Sequence, residues 1–180
     1  ASATFAVDNT APAVTIGTSS ASITKGGPVT YSITYADANF NTSTLTAGNV
    51  SLNQNGTATG TVSLTGSGTG YVVTISGITG NGSLGISIPS GTATDLAGNS
   101  APAAAGAAFT VDNTPPSITI GSPSSSFTAG GPVTFAVTFA DANFNTSTLT
   151  VGNVSLTTTG SATGAVALTG SGTSYTVTVS

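Results

Sequence analysis

Apolar and polar residues alternate with a period of two over short stretches of this chain. In VTYSITY at 29–35 the larger apolar residues occupy every second position. Because successive side chains of a β-strand point to opposite faces, this pattern predicts a strand with one buried face. The other predicted strands carry Val14 and Ile16, Val50 and Leu52, Val62 and Leu64, Tyr71 to Ile75, Leu84 to Ile88, and Phe109 and Val111. Clusters of Gly, Asn, Ser and Pro separate these stretches and favour turns. The pattern therefore predicts an all-β fold and requires no helix.

The chain also contains an internal repeat. FAVDNTAPAVTIG at 5–17 recurs as FTVDNTPPSITIG at 109–121, an offset of 104 residues. Residues 5–76 align with 109–180 without a gap, and 49 of the 72 positions are identical. Seven or eight short strands in about 100 residues are typical of an Ig-like antiparallel β-sandwich. We therefore predict tandem Ig-like repeats with a period of 104 residues.

The repeat predicts the domain boundaries. Residues 1–10 are interpreted as the last strand and linker of a preceding repeat, 11–112 as the first repeat, and 113–180 as a second repeat that is truncated at its C-terminal end. A sandwich without its last strands exposes strand edges. We expect either that the chain is part of a longer array, or that residues 3–8 of a neighbouring chain complete the second repeat as a donated strand.

Differences between the two copies predict which side chains are buried. Tyr31 and Tyr35 are replaced by Phe135 and Phe139 in the second copy, on the apolar phase of the alternation. This predicts buried rings whose hydroxyl groups are dispensable. Val72 is replaced by Thr on the opposite phase, which predicts a position that faces solvent.

Composition excludes several classes of function. The chain has one Lys, no Arg, no His and no Cys, and charged residues make up 3% of it. We expect no imidazole or thiol chemistry, no disulfide, no nucleic-acid binding and no enzyme activity. No apolar run approaches the roughly 18 residues of a membrane-spanning helix, so we expect no membrane insertion. GNGSLG at 80–85 matches G-x-G-x-x-G, but a strand and turn pattern follows it rather than the helix that a dinucleotide site needs.

The five acidic residues all lie in turn-like motifs with Asn nearby, and none lies in an alternating stretch. Asp8 and Asp112 lie in VDNT, Asp37 and Asp141 in ADANFNT, and Asp95 in DLAGN. In a sandwich, the loops that carry Asp8, Asp37 and Asp95 are expected to meet at one end of the repeat. Their oxygen atoms could then supply a Ca²⁺ site, because Ca²⁺ takes six to eight hard oxygen ligands.

We therefore predict two calcium sites, one for each copy of the repeat. The candidate ligands are Asp8, Asn9, Asp37, Asn39, Asn41 and Asp95 in the first copy, and Asp112, Asn113, Asp141, Asn143 and Asn145 in the second. The alternative is that each Asp caps its own turn through an Asx hydrogen bond and binds no metal.

VDNTAP and VDNTPP at the unit starts, together with DLAGN, resemble the bacterial Ig-like repeats of large surface adhesins and biofilm proteins. The resemblance covers the whole chain. It implies an extracellular stalk at the cell surface, with calcium at the junctions between units. It also implies that Asp8 and Asp112 are linker ligands and that Asp95 is a loop ligand at the same end.

The predicted function is structural: other copies of the repeat are the expected partners, in an array that sets length and stiffness. One alternative is a self-assembling filament, sheath or surface-layer subunit held by lateral β contacts or strand donation, because the predicted outward faces carry few of the charges that normally prevent strands from pairing. A second alternative is a spacer in a secreted carbohydrate-active enzyme. The adhesive target is not indicated by any residue pattern.

Overall fold

The structure is a computed structural model that describes residues 3–180. It divides into two compact units, Ala1–Asn113 and Thr114–Ser180, called unit 1 and unit 2 below. The regular secondary structure of both is almost entirely antiparallel β-strand, as the alternation predicts. In residues 3–180 the helical elements are two short 3₁₀ helices, Ala47–Asn49 and Val151–Asn153. Residues 3–12 form no strand. No helix in the described part of the chain is long and apolar enough to cross a membrane.

The described part of unit 1, residues 3–113, contains eleven strands. They are β1 (Ala13–Ile16), β2 (Ile23–Thr24), β3 (Val29–Ala36), β4 (Phe40–Ser43), β5 (Ser51–Gly56), β6 (Thr59–Ser67), β7 (Gly70–Thr79), β8 (Gly82–Ile88), β9 (Ala93–Asp95), β10 (Ala104–Ala105) and β11 (Phe109–Val111). One sheet has the order β1-β3-β7-β6, and a second has the order β10-β8-β11-β2, with β5 also paired to β8. Strands β4 and β9 form a separate two-stranded pair. Every pairing is antiparallel except that of β11 with β2, which is parallel.

The two main sheets of unit 1 share one hydrophobic core. The alternation along β3 buries Val29, Tyr31, Ile33 and Tyr35. Residues of the second sheet, including Leu84, Ile86 and Phe109, belong to the same core. The ring centroids of Tyr31 and Phe109 lie 6.4 Å apart, so aromatic side chains of both sheets are in contact. Fully burying one such apolar side chain contributes roughly 1.5–3 kcal/mol to the free energy of unfolding.

The tyrosine rings are buried as predicted, but their hydroxyl groups are used in unit 1. The Tyr35 hydroxyl donates to Oγ1 of buried Thr92 at 2.7 Å, and the Tyr31 hydroxyl donates to the carbonyl oxygen of Ala107 at 2.7 Å. Both hydroxyls therefore make hydrogen bonds in unit 1 that Phe135 and Phe139 cannot make in the second copy, and the expectation that they are dispensable stays a prediction. Val72, on the other phase of its strand, is exposed as expected.

GNGSLG at 80–85 covers the turn between β7 and β8 and the first part of β8. Gly80 has a φ of +78°, and a Cβ atom there would collide with the carbonyl oxygen of Thr57. Gly82 also has a positive φ, and a Cβ atom there would collide with the carbonyl oxygen of Asn55. The motif is therefore explained by a tight turn against the β5–β6 connection, followed by a strand rather than a helix.

Unit 2 contains a single four-stranded sheet. Its strands are β12 (Ser117–Ile120), β13 (Val133–Ala140), β14 (Val166–Ser171) and β15 (Ser174–Val179), in the order β12-β13-β15-β14. The register repeats that of the first sheet of unit 1 with the offset of 104: Ala13 pairs with Ala36, and Ser117 pairs with Ala140. Unit 2 therefore reproduces one of the two main sheets of unit 1.

Replacing Tyr35 with Phe tests the importance of the hydroxyl bond. We expect the free energy of unfolding of unit 1 to fall by about 1–2 kcal/mol, because the buried Thr92 hydroxyl loses its partner. Urea unfolding followed by circular dichroism measures the change, with hydrogen exchange of peptides from β3 identifying the unit 1 transition. Tyr31→Phe is the matched control and should cost less, because its bond to Ala107 is only partly buried and water can replace the lost donor. Equal costs would contradict this explanation.

Candidate metal centre

Three acidic loops meet at one end of unit 1, called the acidic end below. One carboxylate oxygen from each of Asp8, Asp37 and Asp95 lies within 4.8 Å of the other two. Strand pairing explains the meeting. Because Ala13 of β1 pairs with Ala36 of β3, the segment before β1 and the loop after β3 start side by side. The pairing of Phe40 in β4 with Asp95 then brings the end of β9 to the same place.

Asp95 is the most buried of the three acids, with 1% of its surface exposed. Its carboxylate accepts hydrogen bonds from the backbone and the side chain of Asn99, at 2.8 and 2.7 Å. Burial alone would raise the pKa of Asp95, but hydrogen bonds from the Asn99 side chain and from the backbone of Asn99, Gly98 and Ala97 outweigh it and lower the pKa below the ordinary value of 3.8. The carboxylate is therefore held in its charged form.

Asn39 and Asn99 connect the three loops. The Asn39 side chain donates to Oδ2 of Asp8 at 2.7 Å, and the backbone carbonyl oxygen of Asn39 accepts from the backbone N–H of Leu96 at 2.8 Å. The Asn99 side chain donates to the carbonyl oxygen of Asp8 at 3.1 Å as well as to Asp95. Asn99 is absent from the predicted ligands, although it is the last residue of the DLAGN motif and so carried a signal in the sequence.

Each of the three acids also caps its own loop. Oδ1 of Asp8 accepts from the backbone of Thr10 at 2.9 Å, and Oδ1 of Asp37 accepts from the backbone of Asn39 at 2.7 Å. These are the Asx turns of the alternative interpretation. Such a bond occupies one lone pair of a carboxylate oxygen, so it leaves oxygen lone pairs able to face a cation. Turn capping and cation binding are therefore compatible in the same loops.

No lysine balances the charge at the acidic end. Lys25 is the single cationic side chain of the sequence, and it follows β2. Strand β2 pairs with β11 next to Val111, where β11 runs away from the acidic end. Among residues 3–180, the groups that reduce the mutual repulsion of the three carboxylates are therefore backbone and side-chain amides.

The other predicted ligands lie in different surroundings. Asn9 is exposed, and Asn41 is an exposed residue of β4 at the register shift between Phe40 and Thr42. Asn113 lies at the opposite end of unit 1, where its backbone donates to Oδ1 of Asn81 and its side chain donates to the carbonyl oxygen of Gly80, both at 2.6 Å. Neither bond of Asn113 is made to a carboxylate.

In the second copy, the loop cap found at Asp37 is repeated. Oδ1 of Asp141 accepts from the backbone of Asn143 at 2.7 Å, which repeats the turn at Asp37. Asp112 is half-buried, and its backbone donates to the carbonyl oxygen of Thr24 at 2.9 Å. Asn145 is exposed. Within residues 3–180, the single group of three or more close acidic residues is the one in unit 1.

Comparison with known proteins adds no further assignment. No protein-family model matches the chain. No curated protein matches it either. The assignment of the acidic end therefore depends on its geometry and charge.

The pKa of Asp95 predicts how stability depends on pH. A carboxylate whose pKa is lower in the folded state stabilises that state fully above its unfolded pKa of about 4, and the contribution is lost as pH falls through the folded value. We therefore expect unit 1 to lose stability progressively below about pH 4. Asp95→Asn should reduce this pH dependence, whatever its effect at neutral pH.

Urea unfolding between pH 2 and pH 7 measures the free energy of unfolding of the wild type and of Asp95→Asn. The slope of the unfolding free energy against pH reports the difference in bound protons between the unfolded and folded states. An identical acid slope in the wild type and in Asp95→Asn would show that Asp95 is not the group responsible.

Proposed function

We propose that the chain consists of tandem Ig-like repeats from an extracellular structural stalk of a large prokaryotic surface protein. The strand order supports the Ig-like assignment. If β1, β3, β5, β6, β7, β8 and β11 are named A to G in chain order, the first sheet has the order A-B-E-D, and C, F and G are adjacent in the second. This is the arrangement of a seven-stranded Ig domain. The repeated register of unit 2 supports a tandem array.

The meeting of Asp8, Asp37 and Asp95 is the observation that carries the functional proposal. Asp8 lies in the segment by which the chain enters unit 1, and the other two lie in loops of that unit. A cation shared by these residues would tie the entering segment to the unit and restrict its movement. The VDNT motif of Asp8 recurs at 111–114, where unit 1 is followed by unit 2. The motif therefore accompanies each start of a unit, as a device that stiffens a stalk would require.

Calcium is the cation that this chemistry favours. The sequence has no His or Cys, so softer metals lack their usual ligands. Carboxylates from three separate loops, with the side-chain oxygen of Asn39 and nearby carbonyl oxygens, are the hard ligands that Ca²⁺ takes at 2.3–2.6 Å. Asn39 now presents its NH₂ group to Asp8, so its oxygen would become a ligand after the amide rotates. Backbone caps of Asp8 and Asp37 can remain in place.

The proposed role is passive. Repeated units set the length of the stalk, each unit is stabilised by its own core and its neighbours, and the junctions set the stiffness. No catalytic step is proposed. Specific adhesion would be carried out by another part of the surface protein.

Thermal unfolding of residues 1–180 in millimolar Ca²⁺ and in chelator tests the metal proposal. A ligand at about 100 times its dissociation constant adds roughly 2.7 kcal/mol to the free energy of unfolding, and 1 kcal/mol shifts Tm by about 4–8 °C in a domain of roughly 100 residues. We therefore expect the Tm of unit 1 to be higher by roughly 10 °C or more in Ca²⁺ than in chelator. Asp37→Ala should abolish the rise, because it removes one of the three carboxylates.

Asp141→Ala is the matched control. Asp141 lies in the same ADANFNT motif and caps the same type of turn, but it lies in unit 2 and outside the three-acid group. The unit 1 transition of this variant should keep its full response to Ca²⁺. If Ca²⁺ does not change the Tm of unit 1 in the wild type, the acids are turn caps and the metal proposal is rejected. The Ig-like assignment is unaffected by that result, because it depends on the strand order.

A further inference from the structure

The chain leaves unit 1 at Asn113, at the end of the unit opposite the acidic end. The backbone N–H of Asn113 donates to Oδ1 of Asn81, and its side-chain NH₂ group donates to the backbone carbonyl oxygen of Gly80, both at 2.6 Å. The backbone N–H of Asp112 donates to the carbonyl oxygen of Thr24 at 2.9 Å. Two consecutive residues of the exit segment are therefore bound to unit 1, one at the end of β2 and one at the turn between β7 and β8.

The turn that receives Asn113 is itself fixed from its other side. The backbone N–H of Asn81 donates to Oγ1 of Thr57 at 3.0 Å, and the backbone carbonyl oxygen of Asn81 accepts from the N–H of Thr57 at 2.8 Å. These two bonds use the backbone of Asn81, whereas the bond from Asn113 uses its side chain. Gly80 lies so close to the carbonyl oxygen of Thr57 that no Cβ atom fits there. Asn113 therefore binds a turn whose position is set by the β5–β6 connection.

This contact relates two sequence motifs that are far apart in the chain. Gly80 and Asn81 belong to GNGSLG, and Asn113 belongs to the VDNT motif at 111–114. In the earlier VDNT motif, at 7–10, the carboxylate of Asp8 lies at the acidic end of the unit that follows it. The Asp of the motif is thus used towards the following unit in one copy, and the Asn is used towards the preceding unit in the other.

We propose that Asn113 is an exit latch, whose two hydrogen bonds to the β7–β8 turn hold the segment that leaves unit 1 and limit its bending. This role rests on the proposed stalk function, in which the junctions set the stiffness. The acidic end would restrict the entering segment through a cation, whereas the exit latch uses neutral amide groups and needs none. We therefore expect the exit segment to stay ordered in chelator.

The position of the two bonds predicts a local effect. Both lie at exposed positions, where a hydrogen bond changes an equilibrium constant by roughly two- to tenfold. A factor of this size is small for the unfolding of a whole unit, but it is large for the opening of a short exposed segment. Loss of the exit latch should therefore increase the motion of residue 113 and leave the core of unit 1 folded.

Backbone ¹⁵N relaxation of residues 1–180 in chelator tests the exit latch. The amide of residue 113 should have an order parameter of about 0.85 in the wild type, as in rigid backbone, and below about 0.6 in the double variant Asn81→Ala/Asn113→Ala. The double variant removes both bonds and keeps the reporting amide. The amide of Asp112 is an internal reference, because its bond to Thr24 is unchanged and its order parameter should stay near the wild-type value.

Hydrogen exchange of the residue 113 amide separates the acceptor from other effects of substitution. Its exchange rate should rise by roughly two- to tenfold in Asn81→Ala, because the amide loses its acceptor. Asn81→Asp keeps an oxygen acceptor and should keep the wild-type rate. Equal acceleration in the two variants would overturn the assignment of Asn81 as the acceptor that holds the exit segment.

Asn9→Ala is the matched control, because Asn9 occupies the same position of the VDNT motif and is exposed at the other end of unit 1. Residue 113 should behave in this variant as in the wild type. The exit latch is overturned if residue 113 is already flexible in the wild type, or if the double variant keeps its order parameter. Loss of order throughout β11 in the double variant would also overturn it, because the bonds would then serve the fold. None of these results affects the calcium proposal, because chelator is present and the three acids are unchanged.

Discussion

Strand β3 is the element on which the rest of unit 1 depends. Its inward side chains form the centre of the core, and it pairs with β1 on one side and with β7 on the other. Its two tyrosine hydroxyls reach segments outside its own sheet, at Thr92 and Ala107. The loop that follows it carries Asp37, and its register with β1 brings the Asp8 segment beside that loop. A shift of one residue in this register would turn the core face towards solvent, and it would also separate the acidic loops.

The acidic end holds three of the six charged side chains of the sequence. Amide groups of Asn39 and Asn99 partly compensate three carboxylates, and hydrogen bonds keep Asp95 ionised despite its burial. An arrangement of this kind costs stability unless a positive charge is supplied. A dissolved cation can supply this positive charge, because the single Lys of the sequence lies at the other end of the unit. The three acidic residues therefore lie where the chain enters unit 1.

Two identical sequence segments adopt different structures in the two units. FNTS at 40–43 is strand β4, paired with β9, whereas FNTS at 144–147 is not a strand. VSL at 50–52 leads into and forms β5, paired with β8, whereas VSL at 154–156 is not a strand. The strands that pair with β4 and β5 have no counterpart among residues 114–180. Local sequence is the same in each case, so the difference comes from the presence or absence of a pairing partner.

Alternation and repetition in the sequence were sufficient to predict the all-β class, the main strands of unit 1, the buried phase of β3 and the exposed phase at Val72. They succeed because side-chain burial in a strand has a local period of two residues. Strands β2, β4, β9 and β10 were not predicted, because none of them carries two large apolar residues in alternation, as β1 and β11 do. Asn99 and the tyrosine hydroxyl bonds were missed for a related reason, since their partners lie 57 to 91 residues away in the chain. The sequence by itself determined which residues can be buried or can cap a turn. Only the tertiary structure decided which loops meet, because strand pairing is a contact between residues distant in the chain.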